Sequence, residues 1–312
     1  MSGTTTSAFY VDPVLTNLSI AYQPQAFIAD RLFPRLSGLT KPSGVYYKFG
    51  KEHFGPVPET LRAPGTRARE VEWQTEKATF TTAQHSLIGK VPDEDREAQD
   101  APVQLEQTTT LNTTELVMLD REIRVKDLLT DDSGYDSDHT RDLSDTATDQ
   151  WSDNDDSTPV QDVVEAKSQL RSIGVRPNTM VIPSDVMDAL QTNQDILDRI
   201  KYTQTGLVTR EILQTLFGIP NILVPDSVYN SANAGQDADL TDLWTDFVWL
   251  GFVAPRPALR VLTFGLTFEY RGRQVRRWRE EDKRSDFFEV WEEVGEEIIS
   301  YDAGYLFTDV LA

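Results

Sequence analysis

The first ninety residues contain apolar segments that have no local core of their own. The segment from Gln25 to Leu36 is apolar and aromatic, but prolines and a glycine bound and interrupt it. Such a segment must bury its side chains elsewhere. Asp12-Pro13 supplies an N-cap and a first-turn proline for a short helix. We therefore predict an extended arm with one or two short helices, buried on another part of the chain or on a neighbouring chain.

Two β-like segments follow the arm, from Val45 to Phe49 and from Val71 to Lys90. The linker between them, HFGPVPETLRAPGTRARE, carries three prolines and two glycines, which predicts a long hairpin with an irregular tip. A two-stranded ribbon is marginally stable alone in water. We expect it to be mobile in the free subunit, and an adjacent copy is its most economical partner.

Apolar residues at helical spacing predict a long helix that ends near residue 129. The apolar positions are Leu105, Leu111, Leu116, Leu119, Ile123 and Leu128. The charged residues between them, which include Arg121 and Glu122, are assigned to the solvated face. We expect this helix to pack on the core along its apolar stripe.

From Thr130 to Ser157 the composition changes to Asp, Ser and Thr, which predicts a solvated loop or a partly disordered insert. The alternative is a calcium loop built from Asp131, Asp132, Asp136 and Asp138. The spacing lacks the glycine and the glutamate of the EF-hand pattern. A second helix is expected from Thr158, with Gln161 completing a capping box, to Gly174.

The remaining sequence alternates short helices and strands without the glycine-rich turn of a nucleotide-binding fold. Strands are predicted at 179–182, 221–224, 247–253 and 259–268, and helices at 184–191 and 209–217. A long strand with an exposed face is expected from Phe287 to Ile299, followed by a turn at 302–304 and a last apolar strand. This order favours an α+β lobe with a mixed sheet.

The composition argues against a catalytic or metal site. The chain has no cysteine and three widely spaced histidines, so no thiolate or two-histidine metal motif is present. Adjacent glutamates such as Glu280-Glu281, Glu292-Glu293 and Glu296-Glu297 resemble acid and base pairs, but 51 acidic residues produce such pairs by chance. We predict no catalytic, cofactor-binding or metal-ligating residues and no cofactor.

The net charge of −21 argues against a protein whose main role is to hold nucleic acid, because phosphate contacts need a basic surface. It fits a halophilic host and an acidic mesophile equally. The N-terminus lacks the features of a signal peptide. The longest apolar run, Phe247 to Ala254, is too short to cross a bilayer. We expect the protein to be made and used in a cytoplasm.

One basic cluster stands out near the C-terminus, with Trp278 among its members. It consists of Arg271, Arg273, Arg276, Arg277, Arg279, Lys283 and Arg284. Arginines beside an aromatic ring can contact DNA. Acidic residues lie within the cluster, so we favour ion pairs within the lobe or across a subunit boundary.

Several local phrases, in this order, resemble the major capsid proteins of tailed phages and tailed archaeal viruses, which have the Hong Kong 97-type fold. They are FIADRLFPRL with YYKFG, DEDREAQDAPVQLEQ leading into ELVMLDREIRVKDLL, GVRPNTMVIPSDVMDAL with DILDRIKYT, and the terminal DAGYLFTDVL. Together they extend over nearly the whole chain. This combined match is more specific than any single phrase.

The resemblance implies an α+β fold with an N-terminal arm at 1–44 and an extended hairpin loop at 45–91. Residues 92–176 would hold the spine helix, the acidic insert and the second helix of a peripheral domain. An axial domain would span 177–284, and 285–312 would form a peripheral strand that returns to the axial domain. In this family the arm and the hairpin clasp neighbouring subunits.

The resemblance also implies a structural protein without enzymatic activity. It would assemble through pentamers and hexamers into the icosahedral head of a virion, in the host cytoplasm and without a membrane. The head would enclose double-stranded DNA without sequence-specific binding, and scaffolding, portal and cement proteins would be further partners. The alternatives are an encapsulin-type compartment shell and, from another class, an acidic hydrolase or binding module.

Overall fold

The computed structural model describes residues 10–22, 24, 26–48, 60–62, 65, 67, 76–98, 102–144, 149–201, 208–232 and 235–312. These residues form an α+β fold, as the sequence predicts. The helices are α1 (Pro13–Ala21), α2 (Ala29–Leu32), α3 (Asp93–Glu97), α4 (Pro102–Thr130), α5 (Pro159–Ser172), α6 (Ser184–Thr192), α7 (Gln194–Ile200) and α8 (Arg210–Phe217).

The strands of the described residues form two five-stranded sheets and two ribbons. The first sheet and the ribbon beside it use β1 (Tyr10–Val11), β2 (Arg35–Leu36), β3 (Ser43–Lys48), β4 (Glu76–Thr81), β5 (Ala83–Pro92), β12 (Gly265–Glu280) and β13 (Ser285–Ile298). The second sheet and its ribbon use β6 (Thr140–Asp142), β7 (Thr179–Val181), β8 (Asn221–Leu223), β9 (Val228–Asn230), β10 (Leu240–Asp242), β11 (Phe247–Gly251) and β14 (Gly304–Thr308).

The first sheet is built around the long antiparallel pair of β12 and β13. Its order is β1-β12-β13-β5, and β2 adds to β12 in parallel beside β1. Helices α1 and α4 pack on this sheet, with Leu15, Val117, Val275 and Phe288 in one buried cluster. The first sheet is therefore mostly antiparallel, with the long helix α4 packed on it.

The second sheet has the order β6-β14-β11-β7-β8 and mixes parallel with antiparallel pairs. Strand β11 is buried at every position, which matches its continuous apolar sequence. The main apolar core lies between this sheet and its helices and includes Trp249, Phe264 and Phe307. The chain turns left-handed at Gly218 (φ +64°) after α8, a conformation that glycine adopts without strain.

The arm buries its apolar side chains on its own chain. Ile28, Ala29, Leu32 and Phe33 are at most 4% exposed and belong to the main core. The Phe33 ring meets Phe264 edge-on at a centroid distance of 5.9 Å. The arm was predicted to be buried on its own chain or on a neighbouring chain. This segment is buried on its own chain.

The predicted hairpin is shorter than expected at its base. Strand β4 pairs with β3, but the chain then leaves the ribbon, and β5 joins β13 in the first sheet. The change occurs at Thr82, whose backbone N–H and hydroxyl both donate to the Pro42 carbonyl, at 2.8 and 2.9 Å. The prediction of one strand from 71 to 90 is wrong over its second half. Residues 49–59, 63, 64, 66 and 68–75 of the hairpin, and hence the mobility predicted for its tip, lie outside the described residues.

Helix α4 buries more than the predicted apolar stripe, of which Leu119, Ile123 and Leu128 pack against the main core as predicted. Leu116 was expected in the core but is 55% exposed, whereas Arg121 and Glu122 are 3% and 1% exposed. The buried face runs through Thr110, Thr114, Val117, Arg121, Val125 and Leu129. Polar groups can occupy a buried face when they find hydrogen-bond or ionic partners, so apolar spacing alone does not identify it.

The acid-rich stretch after α4 is packed, which corrects the prediction of a solvated loop. Strand β6 adds to the edge of the second sheet beside β14, and Leu143 and Trp151 are fully buried. The Trp151 indole N–H donates to the Asp162 carboxylate at 2.9 Å. A few large apolar residues therefore anchor an otherwise polar segment, of which 145–148 lie outside the described residues.

The calcium-loop alternative gains no support from the described part of this stretch. The Asp131 carboxylate caps a single 3₁₀ turn by accepting from the Ser133 N–H at 3.1 Å and from the Ser133 hydroxyl at 2.6 Å. Across the described ranges, no group of three or more His, Cys, Asp or Glu side chains could hold a metal ion.

Three further predictions are corrected by tertiary contacts. The Thr158 side chain does not cap α5; the Val160 N–H meets the Asp195 carboxylate of α7 at 3.4 Å instead. The strand predicted at 259–268 runs from Gly265 to Glu280 and includes most of the basic cluster. Strand β13 has no exposed face, because it lies between β12 and β5 with α4 packed over it.

Candidate functional site

The adjacent glutamates on β13 do not act as pairs, because neighbouring residues of a strand point to opposite faces. Glu292 is fully buried and faces Arg35 and Arg273, while Glu293 lies 3.9 Å from Arg271 on the other side. This separation removes the acid and base geometry that the sequence pattern resembles.

The arm is joined to the rest of the chain by a cluster of charges that we call the charged junction. It combines four arginines and five carboxylates: Asp30 and Arg35 from the arm, Arg121, Glu122 and Arg124 from α4, Glu269 and Arg273 from β12, and Glu292 and Glu296 from β13. Elements far apart in sequence therefore meet through ion pairs at one place.

Arg35 is the centre of the arm's contribution to the charged junction. Its Nε atom lies 2.8 Å from the Asp30 carboxylate, and its Nη1 atom lies 3.0 Å from Glu269 and 2.9 Å from Glu292. Since these carboxylates come from three different elements, the planar guanidinium fixes the position of β2 beside β12.

Arg121 connects the same region to the spine helix. Its Nε atom lies 3.3 Å from Glu296, it pairs with Asp30, and its Nη2 atom donates to the Thr267 hydroxyl at 3.0 Å. The Thr267 hydroxyl in turn donates to the Phe33 carbonyl at 3.0 Å. Arg121 is 3% exposed, so these partners replace the water that the charge gives up.

Glu122 holds the beginning of α2. Its two carboxylate oxygens accept from the Ala29 N–H at 2.9 and 3.2 Å. The amides of Ile28 and Ala29 and the charge of Arg121 lower the pKa of Glu122, but burial outweighs them and raises it to about 7. Glu122 is therefore a carboxylate of the junction whose charge changes near neutral pH.

Two other carboxylates of the junction stay ionised. Burial would raise the pKa of Asp30, but Arg121 and Arg35 outweigh it and lower the pKa to about 2. Burial also opposes ionisation of Glu292, yet the nearby arginines lower its pKa below the ordinary value. The junction thus combines ion pairs that keep Asp30 and Glu292 ionised with a buried carboxyl, Glu122, whose pKa is raised.

The basic cluster is used for ion pairs within the subunit. Its partners are Glu293 for Arg271, Glu292 for Arg273, Glu289 for Arg276, Glu106 and Asp286 for Arg277, Asp93 and Glu281 for Arg279, and Glu280 for Lys283. Arg276 also stacks on the Trp291 ring, 4.2 Å from its centroid. The sequence favoured ion pairs within the lobe or across a subunit boundary, and the structure has pairs within the subunit for these six residues.

Helix α1 presents an uncharged apolar surface at the outside of the arm. Its sequence PVLTNLSIA contains no charged residue, and Tyr10, Val14 and Ile20 are 60%, 68% and 53% exposed. Asp12 begins the helix by accepting from the N–H groups of Val14 and Leu15. In a chain of net charge −21, such a neutral surface marks a place where another chain can approach.

The charged junction was missed by the sequence analysis, which placed Arg121 and Glu122 in solvent. One signal was available: Arg121 lies four residues from both Val117 and Val125, so the three share one helical face. Nothing comparable marks Asp30, Arg35 or Glu292, because their partners are distant in sequence.

No helix in the described part of the chain combines the length and the apolar character needed to span a bilayer. No family model matches the chain. The major capsid protein of Burkholderia phage BcepMu is 31% identical over 309 residues, 96% of either chain. The major capsid protein of Pseudomonas phage JBD67 is 30% identical over 314 residues, 97% of this chain and 98% of the relative.

Solved structures share the fold. A phage-related protein from Bordetella bronchiseptica RB50 has a TM-score of 0.78 and 26% identity, covering 97% of this chain and 98% of its own. The capsid of Cyanophage P-SCSP1u has a TM-score of 0.62 at 10% identity, covering 92% and 89%. The SrpI encapsulin of Synechococcus elongatus has a TM-score of 0.52 at 11% identity, covering 99% and 92%.

Proposed function

Because the chain belongs to the major capsid protein family of tailed phages, we propose that it builds the icosahedral head enclosing a double-stranded DNA genome. The single observation that carries this proposal is the 31% identity to a major capsid protein over 96% of the chain. The role is structural, and its chemistry is that of subunit contacts.

The proposal extends to how the subunits meet. Pentamers and hexamers would be the assembly units, with the arm (1–44) and the hairpin (45–91) contacting neighbouring copies. Support comes from the exposed apolar residues Val14 and Ile20 on α1 and from a hairpin that leaves the first sheet at Thr82. The peripheral parts (92–176 and 285–312) and the axial domain (177–284) would form the shell wall.

The genome would be enclosed without sequence-specific contacts. The ion-paired state of the basic cluster supports this, since five of its six arginines already have carboxylate partners. The net negative charge would also keep packaged DNA from adhering to the wall. Scaffolding, portal and cement proteins would be further partners, and assembly would take place in the host cytoplasm.

The shell of an encapsulin compartment is the alternative within the same fold. The encapsulin neighbour is 11% identical and therefore supports the fold alone, whereas the phage relatives reach about three times that identity. The hydrolase alternative has no support, because the relatives are structural proteins.

Electron microscopy of the purified full chain tests the proposal. We expect closed shells, and in infected cells the same chain should occur in DNA-containing particles with a tail. Small shells filled with a protein cargo would favour the compartment. Discrete monomers under all salt and protein concentrations would contradict both shell functions.

A further inference from the structure

Strand β5 forms an open edge of the first sheet. It pairs with β13 along its whole length, from Ala83 opposite Val294 to Pro92 opposite Ser285, and it ends the strand order of that sheet. Helix α4 covers one face of β5: a Cβ added at Gly89 would lie 2.5 Å from Thr109. No other described strand pairs with the free backbone edge of β5.

The register shows which amides of β5 point toward this edge. The Asp93 N–H donates to the Arg284 carbonyl at 2.9 Å, so these two residues form a hydrogen-bonded pair just beyond the strand. In an antiparallel ladder such pairs alternate. The N–H groups of residues 91, 89, 87 and 85 therefore face β13, and those of Gln84, Ser86, Ile88 and Lys90 face away.

The four outward residues are exposed, and among the described residues none accepts a hydrogen bond from their amides. A row of unpaired backbone groups is a template for pairing with another chain. Protein edges are usually guarded by charged side chains, prolines or bulges. The edge of β5 has a regular register and lacks these guards from Ala83 to Gly89.

The stretch of this edge from Ala83 to Gly89, AQHSLIG, contains no Asp, Glu, Lys or Arg, although 26% of the chain is charged, and the charged Lys90 follows it. Leu87 and Ile88 are 42% and 56% exposed on opposite faces of the strand. An uncharged stretch of edge on a subunit of charge −21 is a place where a like-charged chain can pair without bringing carboxylates together.

We propose that the open edge of β5 accepts an extended strand from a second copy of the chain. The copy is the partner that a shell supplies at high local concentration, so this inference rests on the proposed function. The added strand would bond the outward amides and carbonyls, and Ile88 would pack beside it.

Two proline variants separate the edge from the fold. Ile88→Pro removes an outward N–H that donates to no described residue of the subunit, and proline is tolerated on the solvent side of an edge strand. Leu87→Pro removes an N–H that faces Val290 of β13. We expect Ile88→Pro to retain the unfolding midpoint of the wild type but to lower the yield of shells about tenfold. Leu87→Pro should lower the unfolding midpoint.

A second variant keeps the backbone intact. Ile88→Lys retains the outward N–H and places a guarding charge at the edge, so it too should lower the shell yield. Val164→Lys is the matched control, because Val164 is 51% exposed on α5. The control should assemble like the wild type.

Hydrogen exchange measures the contact directly. Peptides spanning residues 83–92 should exchange faster in free subunits than in wild-type shells, while peptides of α5 around Val164 should change little. Shells in which the outward amides of β5 exchange as fast as in the subunit would overturn the inference alone, as would wild-type shell yields from Ile88→Pro and Ile88→Lys. A wild-type chain that forms no shells would overturn the proposed function and this inference with it.

Discussion

Glu122 shows how one residue of the charged junction couples the arm to pH. Its carboxylate is 1% exposed and accepts from the first amides of α2. The groups that face it are the Ile28 and Ala29 amides and the charges of Arg121 and Asp30. Its neutral form is favoured by burial, so docking of the arm is stronger when the carboxyl is protonated.

The first prediction concerns pH. The pKa of Glu122 is about 7 in the fold against an ordinary value of 4.5. Because the folded state binds this proton more tightly, protonation of Glu122 adds to the free energy of unfolding. The contribution is complete below pH 4.5 and is lost as the pH rises through 7, a change of about 3 kcal/mol at most. Glutamine at position 122 is always neutral, so Glu122→Gln should make the free energy of unfolding of the unassembled subunit nearly constant between about pH 5 and about pH 7.5.

Urea unfolding followed by tryptophan fluorescence checks this prediction. Glu115→Gln on the exposed side of α4 is the matched control and should keep the wild-type pH profile. If the wild type and Glu122→Gln show the same slope against pH, Glu122 does not titrate as described.

The second prediction concerns Trp151 in the acid-rich stretch. Trp151→Ala removes a fully buried ring and the donor to Asp162, so it should lower the free energy of unfolding by about 3–5 kcal/mol. Asp155→Ala, at an exposed position of the same stretch, should change it by less than about 0.5 kcal/mol. A loss of under about 1 kcal/mol for Trp151→Ala would restore the prediction of a peripheral insert.

Among the elements, the arm has an inner part that is buried in its own subunit and an outer part that is exposed. Its inner residues, such as Leu32 and Phe33, are fully buried in the main core. Its outer helix, α1, keeps Val14 and Ile20 exposed and carries no charge. The same arm therefore stabilises its own subunit and offers an apolar surface to a neighbour.

The third prediction tests that outer surface. Val14→Asp places a charge on the neutral surface, and an acidic residue in the first turn favours the helix, so the subunit should keep its fold. Repulsion and lost apolar contact should lower the shell yield about tenfold. Val164→Asp, at a similarly exposed position on α5, is the control for light-scattering and microscopy assays. Equal yields from both variants would exclude α1 from subunit contacts.

At the scale of the whole molecule, the net charge opposes assembly. A subunit of −21 repeated over a closed surface repels its copies wherever exposed carboxylates face each other. Apolar burial and paired backbone groups must supply the attraction. Salt screens the repulsion without weakening those contacts.

The fourth prediction follows from this balance. The Debye length falls from about 10 Å at 0.1 M salt to about 3 Å at 1 M, so shell formation should increase with sodium chloride and with magnesium. Light scattering of assembling subunits across both salt series measures it. Particles that form best at the lowest ionic strength and dissolve as salt rises would mean that ion pairs between subunits outweigh the net repulsion.

The sequence by itself determined the features that depend on local chemistry or on order along the chain. The arm without a core, the long helix and the absence of a catalytic pattern all follow from residue types and their spacing. The resemblance to the capsid family also followed, because it depends on phrases in a fixed order.

Only the tertiary structure decided which polar residues are buried. Arg35 meets Glu292 across 257 positions of sequence, and Trp151 is buried through contacts with Asp162 and Phe307. Hydropathy describes the transfer of one side chain from water, whereas a buried charge is stable only when a distant partner replaces that water. The edge of β5, which no other described strand pairs, was likewise decided by the tertiary structure, since a strand's pairing depends on which other strands reach it.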